Sequence, residues 1–457
     1  MKKLVALLLC LMMVVPATLA SAETAEGKVL NIWCWNDEFQ SRFNAYYPEV
    51  KEIAEDKSTT TLNDGTIVKW TINPNEGNNY QNKLDEALRA QESAAADDKI
   101  DIFLIEADYA LKYVDSPYTL DVKADIGLTD EDLGGQYKYT QEIATSADGK
   151  LKAVTWQATP GLFAYRRSIA KDVLGTDDPD AVQEALADWD KFNAVAEQAA
   201  AKGYYMLSGY DDAYRTFSNN VSAPWVADDG ETVVVDANLM KWVDQTKTYT
   251  EKGYNHKSSL WDATWAADQG PTGKVFGFFY STWGINFTLL GNSLATPVAE
   301  GGKEEVGNGI YGDYAVCEGP QSYYWGGTWI CAATGTDNAE TIKDVMTKLT
   351  CDKEIDKQIT LDTQDYTNNI EAMNEIANSD YQSAFLGGQN HIALFAKSAE
   401  KIDMSNAGPY DQGCNEQIQN AFRDYFDGTV DIDGAKKNFE TAIMELYPEL
   451  TEVVWPE

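Results

Sequence analysis

Histidine is almost missing from this 457-residue sequence, which has only His256 and His391. They stand far apart, and neither has a cysteine or acid at ligand spacing, so a histidine-built metal centre or a histidine-activated nucleophile is not expected. Basic residues are scarce as well. Lys and Arg total 36 against 73 Asp and Glu, a formal charge of -37, and a surface of that sign repels nucleic acid and anionic membranes. Much of this acidity keeps an exported chain soluble; it also suits neutral or cationic ligands. Cysteine is limited to six residues. Leaving aside Cys10, the remaining Cys34, Cys317, Cys331, Cys351 and Cys414 are odd in number and lack the close spacings of a metal site or a dense disulfide scaffold. They are expected mostly as buried apolar fillers, although export permits one disulfide. No G-x-x-x-x-G-K-[ST] phosphate loop is present, nor any internal repeat or low-complexity tract. The one long apolar run, at the amino terminus, is about a dozen residues, short of the roughly 20 that span a bilayer.

That run has the make-up of an export signal over residues 1–22: Lys2 and Lys3 begin it, Leu4 to Val15 are apolar, and Ala20-Ser21-Ala22 is a small-residue cleavage site. Cys10 is a poor lipidation site, because Leu9 precedes it where a small residue is wanted and the apolar run continues past it. Cys34 lies inside the first predicted strand, so no lipid anchor is expected. Removing 22 of 457 residues leaves 435, more than a single core accommodates, and two lobes follow from length alone.

Strand-like and helical patterns alternate from the start. Val29 to Trp35 reads as a strand and Phe39 to Ala54 as a helix; Ile67 to Ile72, Asn79 to Ala96 and Ile100 to Ile105 continue as strand, helix and strand. An open α/β lobe over the first 150 residues is expected. Leu151 to Trp156, Lys274 to Tyr280 and Gly326 to Ala333 are further predicted strands. Ser168 to Leu174, Trp189 to Ala201, Asn338 to Cys351, Glu416 to Phe426 and Asp433 to Tyr447 are predicted helices. Ser222 to Glu231 and Glu300 to Gly309 are linker-like.

Thirteen Trp and 25 Tyr raise the aromatic content to 12%, and many of the Trp residues fall at strand ends or in loops: Trp33, Trp35, Trp156, Trp225, Trp261, Trp265, Trp283, Trp325 and Trp329. A sugar ring stacks its C–H face on an aromatic plane while its hydroxyls pair with polar side chains, so such residues suit a saccharide pocket; filling a large core is the alternative use. Ligands of open α/β sheets sit beyond the carboxyl ends of the strands. That rule selects Trp35, Asn36, Asp37 and Glu38, then Glu106 and Asp108, then Trp156, Gln157 and Thr159, whose acidic and amide groups could converge on one cleft. Helix capping is the competing role for Asp37 and Asp108. Gly326-Gly327, between Trp325 and Trp329, suits either a close backbone approach to ligand or a tight turn.

Six segments in order resemble the extracellular solute-binding proteins of carbohydrate ABC transporters, the maltose-binding-protein-like family: "LNIWCWNDEF" from Leu30, "DIFLIEADYALKYV" from Asp101, "GLFAYRRSIAKDVLG" from Gly161, "GKVFGFFYSTWGINF" from Gly273, "WGGTWICAATGTDNAETIKDVMTKLT" from Trp325 and "DGTVDIDGAKKNFETAI" from Asp427. The resemblance spans essentially the whole mature chain. It implies an α/β, two-lobed periplasmic-binding-protein-like fold with a ligand cleft between lobes joined by hinge strands. Lobe one would comprise residues 28–155 plus 284–328, and lobe two residues 156–283 plus 329–457. The crossings would fall near Trp156 to Thr159, Tyr280 to Trp283 and Gly327 to Ala332. Asn36, Asp37, Glu38, Asp108, Asp212 and Tyr214 resemble family contact positions, Trp283 the ring that stacks on sugar, and the Tyr410 to Asn415 loop with Asp411 another wall. Trp225, Trp325 and Gly327 complete the expected site. Ile105 and Thr159 depart from the aromatic and acidic contacts of the maltose binder, which puts maltose in doubt.

The implied function is the substrate-binding component of an ABC importer that closes its lobes over an oligosaccharide. It would be exported to the periplasm or cell exterior, would meet the transporter's permease subunits as a monomer, and would carry no cofactor, metal or catalytic residue. A secreted glycoside hydrolase is the main alternative, since it also shows aromatic clefts and carboxylates; among 73 acids no pair at the roughly 5 to 9.5 Å of such enzymes can be picked out. A peptide or polyamine binder of the same fold is the second.

Overall fold

Residues 27–456 are described by a computed structural model; the expected signal peptide and Cys10 lie outside them. The first predicted strand forms over Val29–Cys34, with every second residue buried. It pairs in parallel with Ile67–Ile72 on one side and Ile102–Glu106 on the other. Ile102–Glu106 is buried along almost its whole length, as expected of a sheet covered on both faces. Thr328–Ala332 then runs antiparallel between Ile102–Glu106 and Ala153–Thr155. The seven strands of this sheet follow the order Val50–Ile53, Thr59–Leu62, Ile67–Ile72, Val29–Cys34, Ile102–Glu106, Thr328–Ala332, Ala153–Thr155.

A second sheet is built on Gly161–Arg166, all six residues of which are buried. It pairs antiparallel with Gly277–Ser281 and with Tyr314–Cys317. Leu207–Gly209 and Asn255–Ser258 form a parallel pair beside it, joined through the Tyr205 and Val275 bridge. The helices begin where their sequences provide caps. Asp188 accepts from the Lys191 amide to start Trp189–Ala201, Asp236 from Asn238 to start Ala237–Lys252, and Asp431 from Gly434 to start Ile432–Leu446.

Three predictions change. The helix predicted over Phe39 to Ala54 stops at Tyr46, because Pro48 disfavours helix in the residue before it, and Val50–Ile53 becomes an edge strand paired with Thr59–Leu62. Tyr314–Cys317, expected in lobe one with the rest of 284–328, hydrogen-bonds to the second sheet instead. Thr328–Ala332, expected largely in lobe two, hydrogen-bonds within the first. Both are short apolar runs whose sheet is decided by long-range pairing, which local pattern does not encode. Tyr280 to Trp283 is therefore not a crossing by strand pairing. The chain passes between sheets over 156–160, over 318–327, and again after the helix Lys353–Thr363, which packs against Glu38–Tyr46, on the way to His391–Ala399, which packs against Gly161–Arg166. All five described cysteines are free thiols, four of them buried.

Candidate functional site

Strand register brings the candidate residues to one edge. The parallel strands Val29–Cys34 and Ile102–Glu106 end there. Glu106 is paired with Thr328, so Trp325, Gly326 and Gly327 enter at the same edge, and Thr155, opposite Trp329, delivers Gln157. A cavity of about 640 Å³ opens here between the two sheets. The first-sheet side contributes Trp35, Asn36, Asp37, Glu38, Glu106, Asp108 and Asp365. The other side contributes Arg215, Trp261, Trp283, Asn286 and Phe287, and Trp325, Gly326 and Gly327 form the connection.

The aromatic wall is a contiguous group of indoles. Trp261 and Trp283 lie within 18° of parallel with centroids 6.1 Å apart, and Trp325 meets Trp283 edge-on at 5.3 Å. The Trp283 indole nitrogen donates to the Trp325 carbonyl at 2.9 Å, which fixes its plane. Trp325 is backed by Tyr280, 17° from parallel at 5.8 Å. Trp261 is 57% exposed and Phe287 81% exposed, so large apolar rings face the opening. A Cβ on Gly326, whose φ is +74°, would lie 2.9 Å from the Trp283 indole nitrogen, and one on Gly327, at φ +111°, 3.1 Å from the Trp329 ring. Only glycine fits both the conformation and the space.

The polar groups fall into two sets. Across the opening, the Arg215 guanidinium donates to both Asp108 oxygens, each at 2.7 Å, and its carbon lies 5.3 Å from the centre of the Trp325 ring. This pair joins the loop after Ile102–Glu106 to the helix Tyr214–Ser218, and hence the two sheets. Glu106 accepts from the Asp108 amide at 2.7 Å. Burial, and then the Asp108 carboxylate, push the Glu106 carboxyl up to about 8 against the pull of Arg215. At the other end the Gln157 amide donates to Glu38 at 3.0 Å and to Asp365 at 2.8 Å. Burial, and then Asp365, push the Glu38 carboxyl up to about 7.

Of the expected site residues, Trp35, Asn36, Asp37, Glu38, Glu106, Asp108, Trp283, Trp325 and Gly327 line the cavity. Asp37 precedes its helix without a side-chain capping bond, and Asp108 is engaged by Arg215, so neither acts as a helix cap. Tyr214 and Asp411 line a side pocket of about 100 Å³ behind the Asp108 and Arg215 pair. Tyr214 donates to Asn415 at 2.5 Å, and burial pushes the Asp411 carboxyl up to about 7.

Four expectations are corrected. Trp156 is 1% exposed and packs on Phe39 at 5.3 Å; the strand alternation turns it into the core. Trp225 packs on Phe439 and donates to Asn415, away from the cavity. Asp212 accepts from the Ser208 and Gly209 amides and the Trp265 indole at 2.8, 2.9 and 3.1 Å, so it braces a loop. Thr159 is buried at φ +43° and donates to the Gly326 carbonyl at 2.8 Å, setting the backbone beneath the site. Gln157, which the strand-end rule also reached, lines the cavity too. Sequence reasoning missed Arg215, Trp261, Asn286, Phe287 and Asp365 as wall residues. Trp261 stood among the loop tryptophans already singled out, whereas nothing local marks Asp365.

Two lobes with an aromatic and carboxylate cleft between them define a protein that encloses a small solute. The profile of the bacterial extracellular solute-binding proteins matches residues 57–397, and the chain belongs to that family, one of binding proteins rather than enzymes. No curated protein sequence matches it significantly. Among solved structures it is similar to an extracellular solute-binding protein of family 1, with TM-score 0.71, 15% identity, and 92% of this chain and 99% of that one covered. It is also similar to an ABC-transporter-associated binding protein of B. animalis subsp. lactis in complex with beta-1,6-galactobiose (TM-score 0.65, 16% identity, coverage 93% and 100%). The galacto-N-biose-/lacto-N-biose I-binding protein of a Bifidobacterium longum ABC transporter is a third (TM-score 0.63, 13% identity, coverage 94% and 100%). These likenesses establish the two-lobed fold. No helix among the described residues is long and apolar enough to cross a membrane.

Proposed function

We propose that this protein captures an oligosaccharide outside the cell and presents it to the permease subunits of an ABC importer, acting as a monomer and without chemistry of its own. The observation that carries the reading is the cleft: a wall of indoles, with Trp261 the most exposed, faces carboxyl and amide groups across a cavity of about 640 Å³, the combination that stacks sugar rings and pairs their hydroxyls. The galactobiose and lacto-N-biose complexes of the similar structures support it. The lobes on this reading are 27–156 with 327–363, and 160–324 with 391–456. A sugar touching both favours the closed form by its differential affinity.

Thermal-shift screening against an oligosaccharide panel tests the proposal, because a ligand that prefers the native state raises the melting point. At least one sugar is expected to raise it, with 1:1 stoichiometry by calorimetry; a panel without any hit, alongside a shift from peptides or polyamines, refutes the reading. The elevated Glu38 and Glu106 carboxyls favour a second reading, a glycoside hydrolase, in which one of them would be the general acid. New reducing ends from the bound sugar would establish it; an intact sugar after prolonged incubation rules it out.

A further inference from the structure

We propose that the preferred solute is an amino sugar carrying a free ammonium group, held at the end of the cavity lined by Glu38, Asp365 and Asp37; this rests on the saccharide reading above. Five carboxyl groups line the cavity against two guanidiniums. One guanidinium, Arg215, is taken by both oxygens of Asp108. The other, Arg42, comes no closer than 4.0 Å to Glu38. Asp365 is 3% exposed, yet its oxygens accept only from neutral groups: the Thr282 hydroxyl at 2.9 Å, the Gln157 amide at 2.8 Å and the Tyr366 amide at 2.9 Å. That same Gln157 amide also donates to Glu38, so the two carboxyls share a neutral donor where a cation could stand. Among the described residues no cation pairs with Asp37 or Asp365.

Carboxylates crowded in a cleft repel one another unless a cation or a proton intervenes. Glu38 is displaced upward first by burial and only then by this repulsion from Asp365. With a neutral sugar the repulsion is relieved only by a proton kept on Glu38, and a uronic acid adds to it. An ammonium supplies three donors and a full positive charge. Among the described residues no three acidic, histidine or cysteine side chains form a metal-ligand set, whereas a protonated amine needs only one or two carboxylates within hydrogen-bond reach. The parallel Trp261 and Trp283 rings, on the opposite side, match the C–H face of a pyranose, which a linear polyamine lacks.

The test takes the best neutral disaccharide of the panel with its 2-amino-2-deoxy and 2-acetamido-2-deoxy counterparts, and spermidine, and measures each by calorimetry at pH 6.5. The free amine is expected to bind at least about tenfold more tightly than the neutral and acetylated forms, an advantage that shrinks as salt rises. Its binding enthalpy is expected to vary with the ionisation enthalpy of the buffer as Glu38 gives up its proton, whereas that of the neutral sugar stays constant. Asp365→Asn is expected to reduce the preference to about threefold or less; should that variant fail to fold, the buffer dependence of the wild type decides alone. Neutral sugar binding as well as the amine, with no proton released, overturns this inference and leaves saccharide binding intact. Spermidine outbinding every sugar, or no sugar binding at all, overturns both.

Discussion

Replacing Arg215 by Ala removes an ion pair that ties the two lobes across the mouth of the cleft. Both guanidinium nitrogens reach Asp108 at 2.7 Å, but the side chains are 25% and 42% exposed, so the pair contributes about 1 kcal/mol at most. Loss of the guanidinium from the Trp325 ring, 5.3 Å away, adds about 0.5 to 1 kcal/mol. Because Trp325 is backed by Tyr280 on the same side as Arg215, only the ion pair depends on the lobes being together, and its share of up to about 1 kcal/mol falls on the closing equilibrium, a factor of up to roughly 5. Ligand affinity is expected to drop by that factor while the ligand-free melting point moves little. Interlobe distance distributions from a pair of spectroscopic labels are expected to shift towards the open form. Arg215→Lys keeps the charge without the fork and is expected to recover less than half of the loss. A cycle with Asp108→Asn separates the ion pair from the ring contact. Unchanged affinity and unchanged distances would refute the assignment of this pair as an interlobe tie; an equal fall in the melting point without ligand would show that it serves the fold of one lobe.

Three further outcomes are expected. Trp283→Ala, which removes a stacking wall and the partner of the Trp325 carbonyl, should weaken sugar binding by about 2 to 3 kcal/mol, roughly 30- to 150-fold by calorimetry. Gly327→Ala forces a side chain into φ +111° against Trp329 and Thr159 and should cost about 1 to 3 kcal/mol, read as a lower urea midpoint. The carboxyls of Glu38, Asp212 and Asp411 sit at about 7 and that of Glu106 at about 8, above the ordinary 4.5 for Glu and 3.8 for Asp. Between those ordinary values and pH 7 to 8 the folded chain holds protons that the unfolded chain has shed, so stability falls as pH rises through this window. Burial takes His391 down to about 4 from 6.5, which opposes the trend below pH 6.5. Four carboxyls outweigh one imidazole, so the melting point should already be falling above about pH 5 and should be lower by several degrees at pH 8.

What the sequence made legible was local. Val29–Cys34, Ile67–Ile72 and Trp189–Ala201 announce themselves by periodicity, and the rule that ligands sit beyond strand ends led to Trp35 through Glu38, Glu106 and Asp108, all of which line the cavity. Partners that meet across hundreds of residues stayed hidden. Asp365 reaches Gln157 over 208 positions and Arg215 reaches Asp108 over 107, and neither has a neighbouring motif to mark it. Tryptophan content pointed to rings in the cleft without distinguishing Trp283 from Trp156, because an indole is used equally well as a core filler, and only the pleat decides which way it faces. The exchange of Tyr314–Cys317 and Thr328–Ala332 between sheets has the same origin.

Thr328–Ala332 sits between Ile102–Glu106 and Ala153–Thr155, and the hydrogen bond from the Thr155 hydroxyl to Thr328 spans 173 positions. The first sheet thus stays split in two until nearly three quarters of the polypeptide is available. Contacts this distant in the chain slow folding, so a chain threaded outwards from its amino terminus would remain pliable through most of its passage and would set only after the late strand has emerged.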